Sequence, residues 1–194
     1  IKNCIGSDTG YVYSMDAKTG CVYWSFLAPS GVRNALRVES LTVQGEKRDV
    51  VFFGDLKANM FALDARTGQQ LWTTHVEKHY TDRVTAPPAY YDGKLFVPIS
   101  SWEEFSAASL DYPCCTSVGE VVALDAHTGK KLWNTYGIPR RPHPTHKNSK
   151  GVQQYAPAGG SVWNTPAVDP ERHAIYFGTG DATTSPAAKT SDAV

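Results

Sequence analysis

What the chain lacks narrows it first. No apolar run approaches the roughly 20 residues that a membrane-spanning helix needs, so no membrane span is expected. Nineteen Lys and Arg offset nineteen Asp and Glu, which leaves no basic field for nucleic acid or an anionic bilayer. The cysteines are Cys4, Cys21, Cys114 and Cys115. None forms a C-x-x-C pair and no His lies at zinc-finger spacing, so a structural zinc is not expected. The haem c signature C-x-x-C-H is missing too. Apolar residues never keep a 3.6-residue spacing over three turns, which argues against a helical fold. At Ile1 there is no starting Met, no basic n-region and no small-residue cleavage site. Ile1 reads instead as strand interior, and the compartment is not legible from that end.

What is present is a repeat. Three segments, 10–24, 58–72 and 119–133, align without gaps. Each has an apolar, partly β-branched run, then Asp-x-x-Thr-Gly, then a short return strand ending in Trp. Asp16, Asp64 and Asp125 open the turns, and Gly20, Gly68 and Gly129 close them. The Asp carboxylate suits the free N–H groups of a turn, and Gly supplies the positive φ that other residues resist. Asp64 follows Asp16 by 48 residues, and Asp125 follows Asp64 by 61. Such periods fit four short strands per unit, the size of a propeller blade. Further strands are predicted at 50–54, 94–98 and 174–178, with leading strands after Pro-rich starts at Ala86-Pro87-Pro88 and Thr165-Pro166. Trp24, Trp72 and Trp133 recur with the repeat and are expected to pack between blades. A fourth unit begins near Gly160 and stops at Val194 before its turn. The fold class is therefore all-β, a β-propeller fragment of about three to four blades, with residues 1–194 forming one partial propeller domain.

Insertions break the repeat at 100–116 and 136–160, and function in such folds sits where repeats are broken. The second insertion carries Arg140, Arg141, His143, His146, Lys147 and Lys150. Cys114 and Cys115 are adjacent in the first. A bond between them would cross-link no loop and add little chain-entropy stability, so its value would be local. Two ordinary thiols are the alternative. Trp163 lies outside the Trp-turn repeat, so inter-blade packing does not explain it; a core position in a leading strand is the simpler reading. Glu103 and Glu104 are either a solvated pair or a source of hard oxygen ligands. On a strand they would point to opposite faces, leaving one for a metal.

Three segments carry a resemblance to a known family: Ser-Ser-x-Glu-Glu (100–104), Tyr-Pro-Cys-Cys-Thr (112–116) and Gly-Val-Gln-Gln-Tyr-Ala-Pro-Ala-Gly (151–159). With the repeat, they resemble the pyrroloquinoline quinone (PQQ)-dependent alcohol dehydrogenases, eight-bladed quinoprotein propellers, and most of all the polyvinyl-alcohol dehydrogenase branch. The resemblance spans essentially the whole chain and somewhat less than half of such a propeller. It implies that Cys114 and Cys115 form a vicinal disulfide over one face of PQQ and that Trp163 covers the other. It implies Ca²⁺ ligands at Glu103 or Glu104 and at Asp181, which follows Gly178-Thr179-Gly180. Thr85 lies near a cofactor-holding threonine of the family. Arg33 is the first candidate for the PQQ carboxylates, with Arg83, His146 and Lys150 behind it.

The expected function is part of a PQQ- and Ca²⁺-dependent alcohol dehydrogenase, acting on a small or polymeric, secondary alcohol by hydride transfer. Its catalytic base is expected beyond residue 194, leaving this piece inactive alone. A c-type cytochrome is the implied electron acceptor, and the disulfide reading implies a periplasmic or secreted protein. A non-catalytic propeller that scaffolds partner proteins accounts equally well for the repeat. It leaves the Cys-Cys, Glu-Glu and Trp163 features without a shared purpose.

Overall fold

The computed structural model describes residues 2–43 and 45–193. Ile1, read above as strand interior, lies outside the described residues, and the first strand opens at Lys2. The first blade holds β1 (Lys2–Gly6), β2 (Tyr11–Asp16) and β3 (Val22–Leu27). The second is a four-stranded antiparallel sheet of β4 (Arg37–Val43), β5 (Glu46–Gly54), β6 (Asn59–Asp64) and β7 (Gln70–His75), in that spatial order. The third adds β8 (Asp82–Arg83), β9 (Ala89–Tyr91) and β10 (Lys94–Ser101), a short helix α1 (Glu103–Ala107), then β11 (Glu120–Asp125) and β12 (Lys131–Tyr136). Both β8 and β9 pair with β10. A separate hairpin, β13 (His143–Lys147) and β14 (Gln153–Ala156), follows. The fourth blade is represented by β15 (Ala167–Asp169) and β16 (Ala174–Tyr176).

The three repeat turns are built alike. Asp16 Oδ1 accepts N–H bonds from Lys18 and Thr19 at 3.0 and 2.9 Å. Asp64 does the same for Arg66 and Thr67, and Asp125 for His127 and Thr128. Gly20, Gly68 and Gly129 follow at φ of 74°, 73° and 71°. Each return strand carries a register shift at the same place, two residues before the Asp or one.

Packing runs between blades rather than within one shared core. Along β5, Val51 and Phe53 join Val12, Trp24, Phe61 and Leu63 against the first blade. Val50 and Phe52 turn the other way, to Leu95, Val97, Val122 and Leu124 of the third. Both faces of a middle blade are therefore buried, which is why its strand reads as a continuous apolar run and not as an alternation. Trp24 Nε1 donates to Ala65 O, and Trp72 Nε1 to Ala126 O, each at 3.0 Å across a blade seam. A Cβ on Gly68 would stand 2.7 Å from the Trp24 ring, and one on Gly129 would stand 2.6 Å from that of Trp72. Each indole thus lies on the turn glycine of the next blade. Trp133 departs from the expectation: it is 40% exposed and its ring contact is Phe96, in its own blade.

Candidate cofactor site

A cavity of about 1010 Å³ opens between the third and fourth blades. Thr85, Glu104, Trp163 and Asp181 all line it, although 96 residues of chain separate the first from the last. The sheet register explains part of this convergence. Arg37 of β4, Ala89 of β9 and Ala167 of β15 occupy equivalent places, opposite Phe52, Phe96 and Tyr176. Four residues ahead of each stand Arg33, Thr85 and Trp163. One position, used in three successive blades, supplies three of the residues singled out above. In two blades an Asn follows it and clamps the neighbouring strand. Asn34 Nδ2 donates to Gly54 O at 2.7 Å, and Asn164 Nδ2 to Gly178 O at 3.0 Å.

Trp163 is 66% exposed, so the core-packing reading does not describe it. Its indole lies on Gly180, where a Cβ would meet Nε1 at 3.1 Å. Gly180 therefore lets the ring lie close to the backbone that leads into Asp181. Thr85 Oγ1 is hydrogen-bonded to Ser100 Oγ at 2.7 Å, and both face the cavity. Asp192 lines it as well; the carboxylate of Asp181, hydrogen-bonded to it, raises its pKa above the ordinary range.

Glu103 and Glu104 sit in the first turn of α1, not on a strand. Acidic residues are favoured there by the helix dipole. Successive helical positions lie about 100° apart, and the two carboxylates separate accordingly. Glu104 faces the cavity. Glu103 is 1% exposed and accepts bonds from Thr116 N at 2.8 Å, Ser117 N at 2.7 Å and Tyr112 Oη at 2.8 Å. Its oxygens anchor the 112–117 segment. Beside it, burial pushes the Asp82 carboxyl up to about 7, while Ser117 Oγ donates to it at 2.5 Å. His79 Nδ1 lies 3.8 Å from the Asp82 carboxyl, and the ring is hydrogen-bonded to Thr116 Oγ1 and Thr81 Oγ1 at 2.8 Å each.

Cys114 and Cys115 are disulfide-bonded. Neither is among the residues that line the cavity. Cys115 is fully buried, and both sulfurs lie 3.9 Å from the carbonyl oxygen of Thr183, which itself lines the cavity. The pair thus backs the cavity wall. Its backbone is held by β14: Tyr155 N donates to Cys114 O at 2.6 Å, and Cys115 N to Tyr155 O at 3.2 Å. Arg33 is also outside the lining. It grips Asp8 through Nε and Nη2 at 2.5 and 2.7 Å, and its guanidinium carbon lies 5.3 Å from the Trp102 ring. Arg83 reaches the same ring at 4.2 Å while donating to Leu56 O. Lys150 is paired with Asp111, and His146 sits on the exposed hairpin.

The sequence reading gave no role to Trp102, Ser100 or Asp192, all of which face the cavity. Trp102 carries the same signal that marked Trp163, a tryptophan off the repeat. Asp192 belongs to no motif and had none.

For a planar tricarboxylate cofactor, the cavity offers indole surface, hydroxyls and backing arginines. For Ca²⁺ it offers the carboxylates of Glu104, Asp181 and Asp192, hard donors of the right kind. Among the described residues no three His, Cys, Asp or Glu side chains are gathered closely enough to form a complete metal site.

Comparison with known proteins identifies the class. Residues 4–189 match the family model described as "PQQ: Glucose/ethanol/alcohol dehydrogenase, beta-propeller domain", and the chain belongs to that family. Within it, the chain is 42% identical over 190 residues to a polyvinylalcohol dehydrogenase of a Pseudomonas species, covering 98% of this chain and 30% of the relative. It is 41% identical over 188 residues to the polyvinylalcohol dehydrogenase of Sphingopyxis sp. (strain 113P3), covering 97% and 29%. The chain thus spans about 30% of the length of these relatives. Among solved structures, quinohemoprotein alcohol dehydrogenase ADHIIG of Pseudomonas putida HK5 superposes with a TM-score of 0.67 at 20% identity, over 98% of this chain and 30% of that one. This likeness supports the propeller fold.

Proposed function

We propose that this chain is the PQQ-holding portion of a Ca²⁺-dependent dehydrogenase that oxidises secondary alcohols, including those of a polymer, in the periplasm or outside the cell. The observation that carries the proposal is the convergence of an exposed indole, paired hydroxyls and three carboxylates on one cavity between two blades. The names of the two polyvinylalcohol dehydrogenases described above support the polymeric substrate. The bonded Cys114–Cys115 pair supports an oxidising compartment.

When bound, PQQ would accept the hydride, with Ca²⁺ polarising its carbonyl. The chain's own residues supply position. Trp163 offers a flat apolar face, fixed at its base by Asn164 and Gly180. Thr85 and Ser100 offer hydroxyls to a cofactor carboxylate, and Arg33 and Arg83 set positive charge behind Trp102. Glu104 and Asp181 would hold the cation, while Glu103 stays committed to its loop. The disulfide stiffens the wall at Thr183.

The test is reconstitution of the full-length protein with PQQ and Ca²⁺, followed by dye reduction with polyvinyl alcohol and with a short secondary alcohol. Activity with both is expected. Trp163→Ala should release the quinone absorbance on desalting, with turnover falling on the order of 100-fold, as for the loss of a positioning contact. Retention of cofactor and rate by Trp163→Ala would remove the indole from the site.

A further inference from the structure

A row of hydrogen bonds leads away from the large cavity through side chains to which cofactor binding gives no task. It starts at Ser101, which lines the cavity at the end of β10. Ser101 Oγ is 2.7 Å from Thr81 Oγ1, and Thr81 Oγ1 is 2.8 Å from His79 Nδ1. On the other side of the ring, Nε2 is 2.8 Å from Thr116 Oγ1. Thr81 and Ser101 are 3% and 7% exposed, so both links are shielded from bulk water. His79 is the least buried of the three, with a fifth of its side chain exposed. Every atom of the row belongs to the third blade or to the segment that enters it, so the path is complete within this chain.

Two backbone groups set the direction of these bonds, because a backbone N–H can only donate. Thr81 N lies 3.4 Å from His79 Nδ1. Nδ1 is therefore the accepting nitrogen, and the neutral ring carries its proton on Nε2. Thr81 Oγ1 then donates to Nδ1. Glu103 N donates to Ser101 Oγ at 3.1 Å, which leaves the serine's own proton for Thr81 Oγ1. Both hydroxyls thus point their protons away from the cavity, towards a base at the end of the row. Tyr80 stacks on that base at 5.2 Å between ring centroids. Asp82 lies 3.8 Å from Nδ1 and Glu103 3.8 Å from Nε2, with Glu77 near Asp82 and Tyr112 bonded to Glu103. A proton arriving at Nδ1 makes an imidazolium between two acids, which offsets the cost of placing charge there.

We infer that Ser101, Thr81 and His79 form a proton outlet for the cavity; this rests on the dehydrogenase reading above. Oxidation of a secondary alcohol breaks its C–H bond, whose hydrogen leaves as hydride to the quinone. It also breaks the O–H bond, whose proton must leave the cavity before the next turnover. Ser101 Oγ takes that proton from cavity water and passes its own to Thr81 Oγ1, which passes its own to His79 Nδ1. Each oxygen gains one proton and loses one, and no electron moves along the row. The imidazolium gives its extra proton to water, and the hydroxyls rotate back to their starting bonds. Hydroxyls and imidazole suit this task because each both accepts and donates.

The test compares wild type, Thr81→Val and Thr81→Ser as full-length protein loaded with PQQ and Ca²⁺, reducing a dye with a secondary alcohol. Thr81→Val keeps the side chain's shape and breaks the row, while Thr81→Ser keeps a hydroxyl. In Thr81→Val, kcat should fall about 10-fold or more, with KM and the retained quinone absorbance unchanged. Thr81→Ser should keep the wild-type rate. Added imidazole should restore the Thr81→Val rate in proportion to its concentration, and the solvent isotope effect on kcat should rise above that of wild type. A hydroxyl that only braces the 112–117 segment would give neither response. A Thr81→Val rate that is unchanged, or lowered without rescue by imidazole, would overturn the outlet. Should Thr81→Val fail to fold, His79→Gln is read by the same criteria. Cofactor-free protein gives a separate reading through the ¹⁵N spectrum of its imidazoles. Neutral His79 should carry its proton on Nε2, and Thr81→Val or Thr81→Ala should shift the Nδ1 resonance. A proton on Nδ1 would reverse the row and overturn the outlet. A wild type that reduces no dye while His79 shows the Nε2 form upholds the row and sinks only the dehydrogenase reading.

Discussion

Glu103 and Glu104 are neighbours in sequence whose surroundings give them unrelated tasks. Glu103 is a buried carboxylate whose charge is met by two backbone N–H groups and a phenol. Glu103→Ala would leave those donors unsatisfied and should destabilise the protein by about 2–4 kcal/mol, with proteolysis appearing first in residues 104–116. Glu104→Ala, at the cavity, should leave denaturation unchanged and weaken Ca²⁺-dependent cofactor retention. Sequence alone identified the pair but placed it on a strand. The helical turn was illegible because five residues are too few for a 3.6-residue pattern to register. A third acid, Glu120, titrates together with its neighbour Glu77. Burial, then a hydrogen bond shared with Glu77, push the Glu120 carboxyl up to about 8 from 4.5. The folded protein holds that proton longer than the unfolded chain does. The stability it contributes is full below about pH 4.5 and is lost as pH rises through about 8. Melting temperature should fall over that window, and Glu120→Gln should flatten the fall.

At the scale of elements, the repeat turn was the most legible feature, because its chemistry is local. An Asp, a Thr and a Gly at fixed offsets determine the hydrogen bonds without help from elsewhere. Gly129 is needed twice over, for its φ of 71° and for the Trp72 ring that rests on it. Gly129→Ala should cost about 1–3 kcal/mol by urea denaturation, more than a typical loop substitution. The β13–β14 hairpin was not legible. His143-Pro144-Thr145-His146-Lys147 has neither alternation nor β-branched bulk, and it pairs because β14 is held in place by the disulfide segment. The position of that disulfide was likewise hidden: adjacency of Cys114 and Cys115 can suggest a bond, but which surface receives it depends on Thr183, 68 residues further on.

For the whole molecule, stability resides in the seams between blades. Phe53, Phe61 and Leu63 are buried only because the first blade covers them. Trp24→Ala should therefore cost about 3–5 kcal/mol and loosen one seam while leaving the Asp-Thr-Gly turns folded. Hydrogen exchange would show protection lost along β3 and β6 together. This seam logic also explains why an all-β reading with blade-sized units could be made from sequence, whereas the cavity could not: a seam repeats, but the space between the third and fourth blades is lined by what does not. The register shared by Arg33, Thr85 and Trp163 has a further meaning. A duplicated scaffold holds an open address in every copy, flanked by parts that keep the architecture intact. Mutation can write a guanidinium, a hydroxyl or an indole there without renegotiating the fold, so new ligand chemistry in such proteins can arise one letter per copy.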